Sequence, residues 1–301
     1  MQEFQSQLER ILSLSSIRLQ EPMKAHTTFR IGGPADYYVS PRDEKELMGV
    51  CSLCRHAEVP YSLLGNGSNL LVSDEGYRGV MITLDAWDEV RIQETTVTAG
   101  AGILLSKLAK KIAEASLTGF EFAAGIPGSL GGALVMNAGA YGSEMREIVT
   151  GAKVMTREGE IRELSGAELE LGYRTSCIPA KDYIVLEGTF ELQHGEAEAI
   201  YRRMEELSMQ RKSKQPLEYP SAGSTFKRPS GYFAGKLIED AGLRGFCIGG
   251  AQVSEKHCGF VINRGGASAA DVMNLCKEVQ HRVEEQFGVV LEMEVKRLGS
   301  M

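Results

Sequence analysis

Short apolar runs separated by glycine-rich or polar turns fill the first two thirds of the chain. Apolar residues spaced three and four apart predict helices over Asp43–Ala57 and Ile103–Ser116. Alternating or short continuous apolar runs predict strands instead. These strands are Ala35–Val39, Tyr61–Leu64, Leu70–Val72, Val80–Leu84, Thr96–Ala99, Ala133–Asn137, Ile148–Thr156, Glu160–Leu164 and Tyr183–Gln193.

A long polar-rich helical pattern, Glu196–Lys214, separates these runs from a C-terminal region and ends just before Pro216. Strands and helices do not alternate strictly along the chain, which favours an α+β fold over a doubly wound sheet. The elements predicted after the connector are helix Tyr232–Ala241, strands Phe246–Val253 and Gly259–Asn263, helix Ala269–Phe287 and strand Val289–Arg297.

Composition narrows the class of protein. The 301 residues are 43% hydrophobic and 24% charged, as in ordinary globular proteins, and 33 basic against 40 acidic residues give a net charge of −7. An acidic chain is a poor nucleic-acid binder. No run approaches the roughly 20 apolar residues of a membrane span, and the N-terminal segment lacks a signal-peptide core. The sequence predicts a cytoplasmic protein without membrane insertion.

One pair of the six cysteines has spacing that occurs in metal and redox sites. Cys51 and Cys54 share a face of the predicted helix Asp43–Ala57. No second pair accompanies them, so two buried, reduced thiols are favoured over zinc or redox chemistry. The five histidines have no ligand spacing. We therefore predict no metal site.

Three glycine clusters are candidates for binding phosphate. They are Gly65–Asn69, Gly125–Gly132 and Asn137–Gly142. Glycine lets successive backbone N–H groups turn inward as an anion-binding nest. Leu70 stands where a Rossmann fingerprint needs its third glycine, and no P-loop is present. Each cluster alone is typical of a turn, whereas three within 80 residues indicate an extended, phosphate-bearing cofactor.

Seven segments together resemble the UDP-N-acetylenolpyruvoylglucosamine reductases, the MurB family. The resemblance runs in order from about residue 20 to residue 298. Its segments are Thr27–Gly33, Leu64–Asn69, Gly125–Gly132, Asn137–Gly142, Gly172-Tyr173-Arg174, Ala222–Lys227 and Leu291–Val295.

The resemblance implies a fold and an activity. The expected fold is a vanillyl-alcohol-oxidase-type (PCMH-type) FAD-binding region at 1–194, with α+β subdomains at 20–85 and 86–194. A connecting helix at 195–214 and a smaller α+β substrate-binding domain at 215–301 follow. The implied reaction uses bound FAD and NADPH to reduce the enolpyruvyl ether of UDP-N-acetylglucosamine to UDP-N-acetylmuramate. This step of peptidoglycan synthesis serves cell shape and division, and we expect a monomer with small-molecule partners.

Two departures from common family patterns qualify the resemblance. Some members carry an inserted segment with a substrate-clamping tyrosine, but only 224 − 174 = 50 positions separate Arg174 from Ser224. The chain therefore resembles the subclass without the insert. Lys296 stands where many members have arginine, and lysine lacks the planar two-pronged donor geometry.

The implied reaction needs a hydride source, a carboxylate clamp and a proton donor. The guanidinium group of Arg174 has paired N–H donors that match the two oxygens of a carboxylate, although an arginine more commonly forms a surface ion pair. The resemblance makes Ser224 the proton donor, where a turn serine is the ordinary reading, and Glu294 the stabilising acid. Glu292 would share the face of Glu294 on an alternating strand, so the residue pattern alone does not separate them.

The remaining candidate residues bind the two ligands. Predicted substrate contacts are Lys214, Lys227, Gln252 and Asn263. Two other functions are alternatives to the reductase, namely an oxidase with the same cofactor fold and a non-catalytic protein that binds a nucleotide sugar. Predicted cofactor contacts are Arg30, Gly65, Asn66, Gly67, Ser68, Asn69, Gly125, Ile126, Pro127, Gly128, Ser129, Gly132, Asn137, Gly139, Ala140, Tyr141 and Lys296.

Overall fold

A computed structural model describes residues 2–301, which form two units. The first unit contains the chain up to Arg18, Tyr37–Asn66 and Gly79–Arg211. The second contains Leu19–Asp36, Gly67–Arg78 and Lys212–Met301. The predicted domains were contiguous, whereas two early segments belong to the same unit as the C-terminal region. Which ligand each predicted domain binds stays a prediction.

The described helices and strands are as follows in chain order. The helices are α1 (Gln2–Ile11), α2 (Glu44–His56), α3 (Leu105–Glu114), α4 (Leu130–Val135), α5 (Cys177–Ala180), α6 (Ala197–Lys214), α7 (Ala234–Asp240) and α8 (Ala269–Phe287). The strands are β1 (Ile17–Pro22), β2 (Pro34–Val39), β3 (Tyr61–Leu64), β4 (Leu70–Val72), β5 (Tyr77–Thr83), β6 (Val90–Gln93), β7 (Thr96–Gly100), β8 (Leu117–Thr118), β9 (Gly139–Ala140), β10 (Ser143–Glu144), β11 (Val149–Met155), β12 (Ile161–Ser165), β13 (Ile184–Glu191), β14 (Gln193–His194), β15 (Cys247–Ile248), β16 (Ala251–Val253), β17 (Val261–Asn263) and β18 (Lys296–Leu298).

An antiparallel sheet with the order β12-β11-β13-β7-β6 is the main sheet of the first unit. Helix α4 packs on its strand β13 at Gly188, where a Cβ would lie 2.9 Å from the Leu134 side chain. The absence of a side chain at 188 therefore lets the helix approach the sheet closely. A second sheet, of order β1-β2-β5-β3, includes the parallel pair β3 and β5.

Helix α2 begins at a capping aspartate and buries one face. The Asp43 side chain accepts a hydrogen bond from the Glu46 N–H at 2.8 Å. Cys51 and Cys54 lie on the buried face, in the core of the first unit. Burial raises the pKa of Cys51 to about 11 and that of Cys54 to about 12. Both thiols are thereby kept protonated at neutral pH.

The second unit is built around helix α8 and the three-stranded sheet β15-β16-β17. The helix begins with a capping box between Ser268 and Asp271 and ends at Gly288, whose φ is 66°. Its buried face includes Leu275 and Cys276. These end signals explain why the predicted helix has the observed bounds. Strand β4 pairs in parallel with β18.

Three predicted strands are wrong. The run Phe246–Val253 is not one strand but the antiparallel hairpin of β15 and β16, which turns at Gly249 and Gly250. The run Ala133–Asn137 belongs largely to helix α4, because Ser129 caps a helix whose Leu130 and Leu134 are buried. Val289–Arg297 is not a continuous strand, since only its last two residues are in β18. Met293 instead forms an isolated bridge with Phe226, so partners change along the segment. The pattern also did not predict α1, β1 or β6.

Candidate functional site

Two of the three glycine clusters meet in the first unit. The Asn66 side-chain amide donates to the carbonyl of Pro127 at 2.9 Å. A Cβ at position 65 would lie 2.5 Å from the Ser129 hydroxyl oxygen. Only glycine fits at 65 unless that hydroxyl moves. The loop Gly65-Asn66 and the loop Gly125–Gly132 therefore form one glycine-lined surface.

Backbone hydrogen bonds hold the Gly125–Gly132 loop in place. Gly128 accepts from the Leu105 N–H at 2.9 Å, and the Gly131 N–H donates to Ala101 at 2.8 Å. The buried Ser129 hydroxyl accepts from the Gly132 N–H at 3.4 Å as the cap of α4. The loop is thus fixed by hydrogen bonds to its neighbours, and such preorganisation lowers the entropy cost of binding.

A half-buried arginine lies beside this loop. Near Gly125, the Arg211 Cδ and Nη1 atoms lie 3.5 and 3.6 Å from the position that a Cβ would occupy. Burial lowers the pKa of Arg211, but a guanidinium stays charged at neutral pH. In the sequence, Arg211 stands with two other basic residues, Lys212 and Lys214, near the end of a helix. Only the fold distinguishes the arginine that faces the glycine loop.

The third cluster forms the hairpin β9–β10. Its two central residues, Tyr141 and Gly142, have φ of 57° and 89°, as a tight two-residue hairpin requires. The Tyr141 hydroxyl donates to the Leu207 carbonyl of α6 at 3.2 Å. This hairpin is therefore tied to the helix that carries Arg211.

Arg174 lies at the tip of a tight turn in the first unit. The Gly172 N–H donates to the Thr175 carbonyl at 3.1 Å, and the Thr175 N–H donates back at 3.3 Å. Arg174 has a left-handed backbone, with φ of 54°, and its side chain is half-buried. The guanidinium lies over the ring of Tyr173, 5.6 Å from its centroid.

The segments that carry Ser224 and Glu294 pair with each other in the second unit. Residues 224–227 run beside residues 292–294, where the Glu294 N–H donates to the Thr225 carbonyl at 2.9 Å. The next residue, Phe226, forms its antiparallel bridge with Met293. Ser224 is exposed, while the Thr225 hydroxyl is buried and accepts from the Val261 N–H at 2.9 Å. The backbone on the C-terminal side of Ser224 is thus held by hydrogen bonds to residues 261 and 294.

Glu292 and Glu294, which the residue pattern could not separate, have different surroundings. Glu292 is exposed and its carboxylate accepts from the Lys227 ammonium group at 2.5 Å. Glu294 is half-buried, and its carbonyl accepts from the Asn69 side chain at 3.2 Å. Lys227, predicted to contact substrate, is thereby engaged with Glu292. The main-chain N–H and carbonyl of Glu294 are bound by Thr225 and Asn69.

The cluster Gly65–Asn69 is divided between the two units after Asn66. In the second unit, Gly67 accepts from the Thr28 N–H at 3.2 Å, and Asn69 accepts from the Lys296 N–H at 3.0 Å. The side chains of Arg30 and Lys296 are exposed. The structure describes Arg174 in the first unit and Ser224 with Glu294 in the second. The roles of all these residues stay predictions.

Gln252 and Asn263, predicted as substrate contacts, are each 6% exposed. The Gln252 amide donates to the Gly245 carbonyl at 2.9 Å and accepts from Arg264 at 3.0 Å. The Asn263 amide donates to the Phe29 carbonyl at 3.1 Å and accepts from the Gly265 N–H at 2.9 Å. Both amides have these structural partners, and their substrate contacts stay predictions. Lys214 is exposed at the end of α6.

The first unit fits a cofactor that carries a diphosphate. Gly65 has no room for a side chain against Ser129, and Arg211 supplies a cation beside Gly125. Within residues 2–301, no group of three or more histidine, cysteine or acidic side chains is placed to hold a metal ion. None of the described helices combines the length and apolarity needed to cross a bilayer.

Comparisons with known protein families match both regions of the chain. A family described as "FAD binding domain" matches residues 35–165. A family described as "UDP-N-acetylenolpyruvoylglucosamine reductase, C-terminal domain" matches residues 215–298. The second match covers the segments that carry Ser224 and Glu294.

Individual relatives are similar over nearly the whole chain. A UDP-N-acetylenolpyruvoylglucosamine reductase of Lachnoclostridium phytofermentans is 55% identical over 298 residues, covering 97% of this chain and 96% of the relative. The Clostridioides difficile reductase is 52% identical, with coverages of 99% and 98%. The crystal structure of the Thermus caldophilus reductase is 37% identical, with a TM-score of 0.80 and coverages of 94% and 98%.

A more distant likeness concerns the fold alone. A Phl p 4 variant described as a glucose oxidase is 15% identical, with a TM-score of 0.50 over 64% of this chain and 44% of that chain. The fold prediction is confirmed: a vanillyl-alcohol-oxidase-type FAD-binding region is followed by a C-terminal α+β region.

Proposed function

Because the chain belongs to the UDP-N-acetylenolpyruvoylglucosamine reductase family, we propose that it converts UDP-N-acetyl-3-O-(1-carboxyvinyl)-glucosamine to UDP-N-acetylmuramate with NADPH and FAD. The observation that supports the residue-level proposal is the pairing of segments 224–227 and 292–294, because these segments carry Ser224 and Glu294. Arg174, in a turn of the first unit, completes the proposed catalytic set.

The glycine-lined surface would hold the cofactor. Gly65, Asn66 and the Gly125–Gly132 loop supply backbone N–H groups and close approach for the diphosphate, with Arg211 as a neighbouring cation. When bound, FAD supplies the hydride that it has received from NADPH. The protein's own side chains would bind the substrate carboxylate, deliver the proton and stabilise the intermediate.

Arg174 would bind the carboxylate of the enolpyruvyl group. Hydride addition at the terminal carbon of the double bond breaks its π bond and places an electron pair on the carbon next to the carboxylate. That charge spreads into the carboxylate oxygens. A guanidinium with its fixed pair of donors stabilises both oxygens most strongly at this stage.

Ser224 would deliver the proton that completes the reduction. Its hydroxyl proton passes to the carbon next to the carboxylate, and the serine oxygen then recovers a proton from water. A hydroxyl is a weak acid, but the carbanion is strongly basic, so the position of the serine matters more than its acidity. The hydrogen bonds of Thr225 hold the adjacent backbone in that position.

Glu294 would stabilise the enol-like form of the substrate carboxylate by sharing a proton with it. Glu294 follows Met293, whose bridge with Phe226 joins its segment to the one that carries Ser224. Glu292 is a poorer candidate because Lys227 neutralises its exposed carboxylate.

We further propose that the protein acts as a monomer in the cytoplasm, as part of cell-wall synthesis for cell shape and division. Both substrates carry phosphate charges that keep them in an aqueous compartment. Light scattering at working concentration tests the oligomeric state, and a mass of one chain is expected.

A steady-state assay tests the proposed activity. Purified protein is mixed with NADPH and the enolpyruvyl UDP-sugar, and the product is identified by mass spectrometry. The expected product is two hydrogens heavier than the substrate and is formed in equal amount to the NADPH consumed. NADPH consumption without that product would contradict the reductase and leave the oxidase alternative open, and no bound flavin would support the non-catalytic one.

A further inference from the structure

On the basis of the proposed role of Arg174, we infer that Asn137 is a positioning residue that acts through Arg174. The sequence places Asn137 within a glycine cluster expected to contact the cofactor. In the folded chain its side chain is directed at the backbone of the arginine turn. The side-chain amide donates to the Gly172 carbonyl at 3.0 Å.

Both polar atoms of the Asn137 side-chain amide form hydrogen bonds. Its oxygen accepts from the Arg146 N–H at 2.9 Å while its nitrogen binds Gly172. The residue is 1% exposed and has φ of 44°, a conformation that asparagine tolerates better than most residues. Asparagine at this position therefore satisfies two requirements, a left-handed backbone and a planar amide with one donor and one acceptor facing backbone groups.

The arginine turn needs such an anchor. Arg174 holds a left-handed conformation that is unfavourable for a residue with a side chain, and such strain persists only where the surroundings fix it. The Gly172 carbonyl already closes the turn with Thr175, and Asn137 adds a bond from outside the turn. A second anchor is the Ser176 hydroxyl, which donates to the Val135 carbonyl at 2.8 Å.

Both anchors start at the end of helix α4, whose first residue follows Ser129 of the glycine loop. The helix therefore connects the surface proposed for the cofactor with the residue proposed to bind the substrate carboxylate. We infer that this connection fixes the direction of the Arg174 side chain.

The Asn137→Asp variant tests the inference with the smallest change. Aspartate keeps the shape, the tolerance of a left-handed backbone and the acceptor for Arg146, but it places an oxygen against the Gly172 carbonyl. We expect full flavin content and normal reduction by NADPH. Flavin reoxidation by the enolpyruvyl UDP-sugar is expected to slow by about 10- to 100-fold, as for a misplaced catalytic group.

A double-mutant cycle separates action through Arg174 from a general structural effect. On an Arg174→Met background, Asn137→Asp is expected to slow reoxidation no further. An additive loss in the double variant would overturn the inference, as would normal reoxidation in Asn137→Asp or loss of flavin alone. If Asn137→Asp does not fold by circular dichroism, Asn137→Gly, which keeps the backbone conformation, is used with the same readouts.

The same assay distinguishes failure of the inference from failure of the proposed function. Wild-type protein that is not reoxidised by the enolpyruvyl UDP-sugar would contradict the function itself. Normal reoxidation in Arg174→Met would contradict only the role of Arg174, and with it the inference. A slow Arg174→Met variant beside a normal Asn137→Asp variant would contradict the inference alone.

Discussion

The backbone N–H of Glu294 donates to the carbonyl of Thr225 at 2.9 Å, which fixes the segment of Ser224 beside that of Glu294. Seventy positions separate Ser224 from Glu294 along the chain (294 − 224). The bond involves main-chain atoms only, so substitution of either side chain leaves the pairing in place. Single-residue variants at these positions therefore test chemistry rather than folding.

Replacement of Ser224 by alanine removes the proposed proton donor. We expect reoxidation of reduced flavin by the enolpyruvyl UDP-sugar to slow by about 10²-fold or more, with unchanged reduction by NADPH. Stopped-flow absorbance of the two half-reactions measures both. Ser230→Ala, in the same exposed loop region, serves as the control. Near-normal reoxidation in Ser224→Ala would remove this serine from the proposed role.

The two glutamates provide a matched pair. Glu294→Gln is expected to slow reoxidation by about 10- to 10³-fold, because an amide cannot share a proton as the acid does. Glu292→Gln removes only an exposed ion pair with Lys227 and is expected to change this rate by less than about threefold. Single-turnover rates of both variants decide the assignment. A larger loss in Glu292→Gln would reverse it.

The contact between Gly65 and Ser129 predicts that substitutions at these two positions have non-additive effects on flavin binding. A Cβ at 65 would meet the Ser129 hydroxyl at 2.5 Å, so Gly65→Ala should displace the loop and lower the flavin-to-protein ratio. Ser129→Ala removes that oxygen at a cost of about 1 kcal/mol for the lost helix cap. The double variant should retain more flavin than the two single effects predict together. Additive losses would mean that the clash is relieved elsewhere.

His257 predicts a loss of stability at acid pH. Burial lowers its pKa from the ordinary value of 6.5, and the Arg244 charge lowers it further. The unfolded chain therefore binds a proton at higher pH than the folded chain does. The contribution of His257 to the free energy of unfolding is complete above that ordinary value and is lost as pH falls through the lowered one.

The His257→Asn variant isolates this effect. An asparagine oxygen can replace the ring nitrogen that accepts from the Gly259 N–H at 3.1 Å, and it does not titrate. Urea unfolding at about pH 7.5 and about pH 5 should show a smaller stability loss in the variant than in the wild type. Equal losses in both proteins would show that His257 does not set the acid limit.

Local signals in the sequence predict the elements whose ends they mark. Helix α8 has the predicted bounds because Ser268 and Gly288 mark both of its ends. The amphipathic α1 was missed, although Phe4, Leu8 and Leu12 are spaced for one helical face and are buried. The run 133–137 is too short for periodicity to separate helix from strand, and the cap at Ser129 decides it.

Contacts between positions distant in the chain determine the features that the sequence did not predict. The 289–297 segment alternates like a strand, but Phe226 pairs with it at Met293 and Asn69 binds it at Lys296. The resemblance placed Arg174, Ser224 and Glu294 in the site, whereas the link from Asn137 to Gly172 joins positions 35 residues apart. No local pattern records that link, and Arg211 is likewise distinguished from its basic neighbours only by the fold.

An anaerobic titration of the wild-type protein tests the central claim most directly. The visible spectrum of the purified protein is recorded, NADPH is added until the flavin bands bleach, and the enolpyruvyl UDP-sugar is then added. The proposed function predicts that the protein shows a flavin spectrum and that NADPH bleaches it fully. One equivalent of the UDP-sugar per flavin is then expected to restore the flavin bands. A colourless protein, or bleaching that this UDP-sugar does not reverse, would contradict the assignment as a reductase of that substrate.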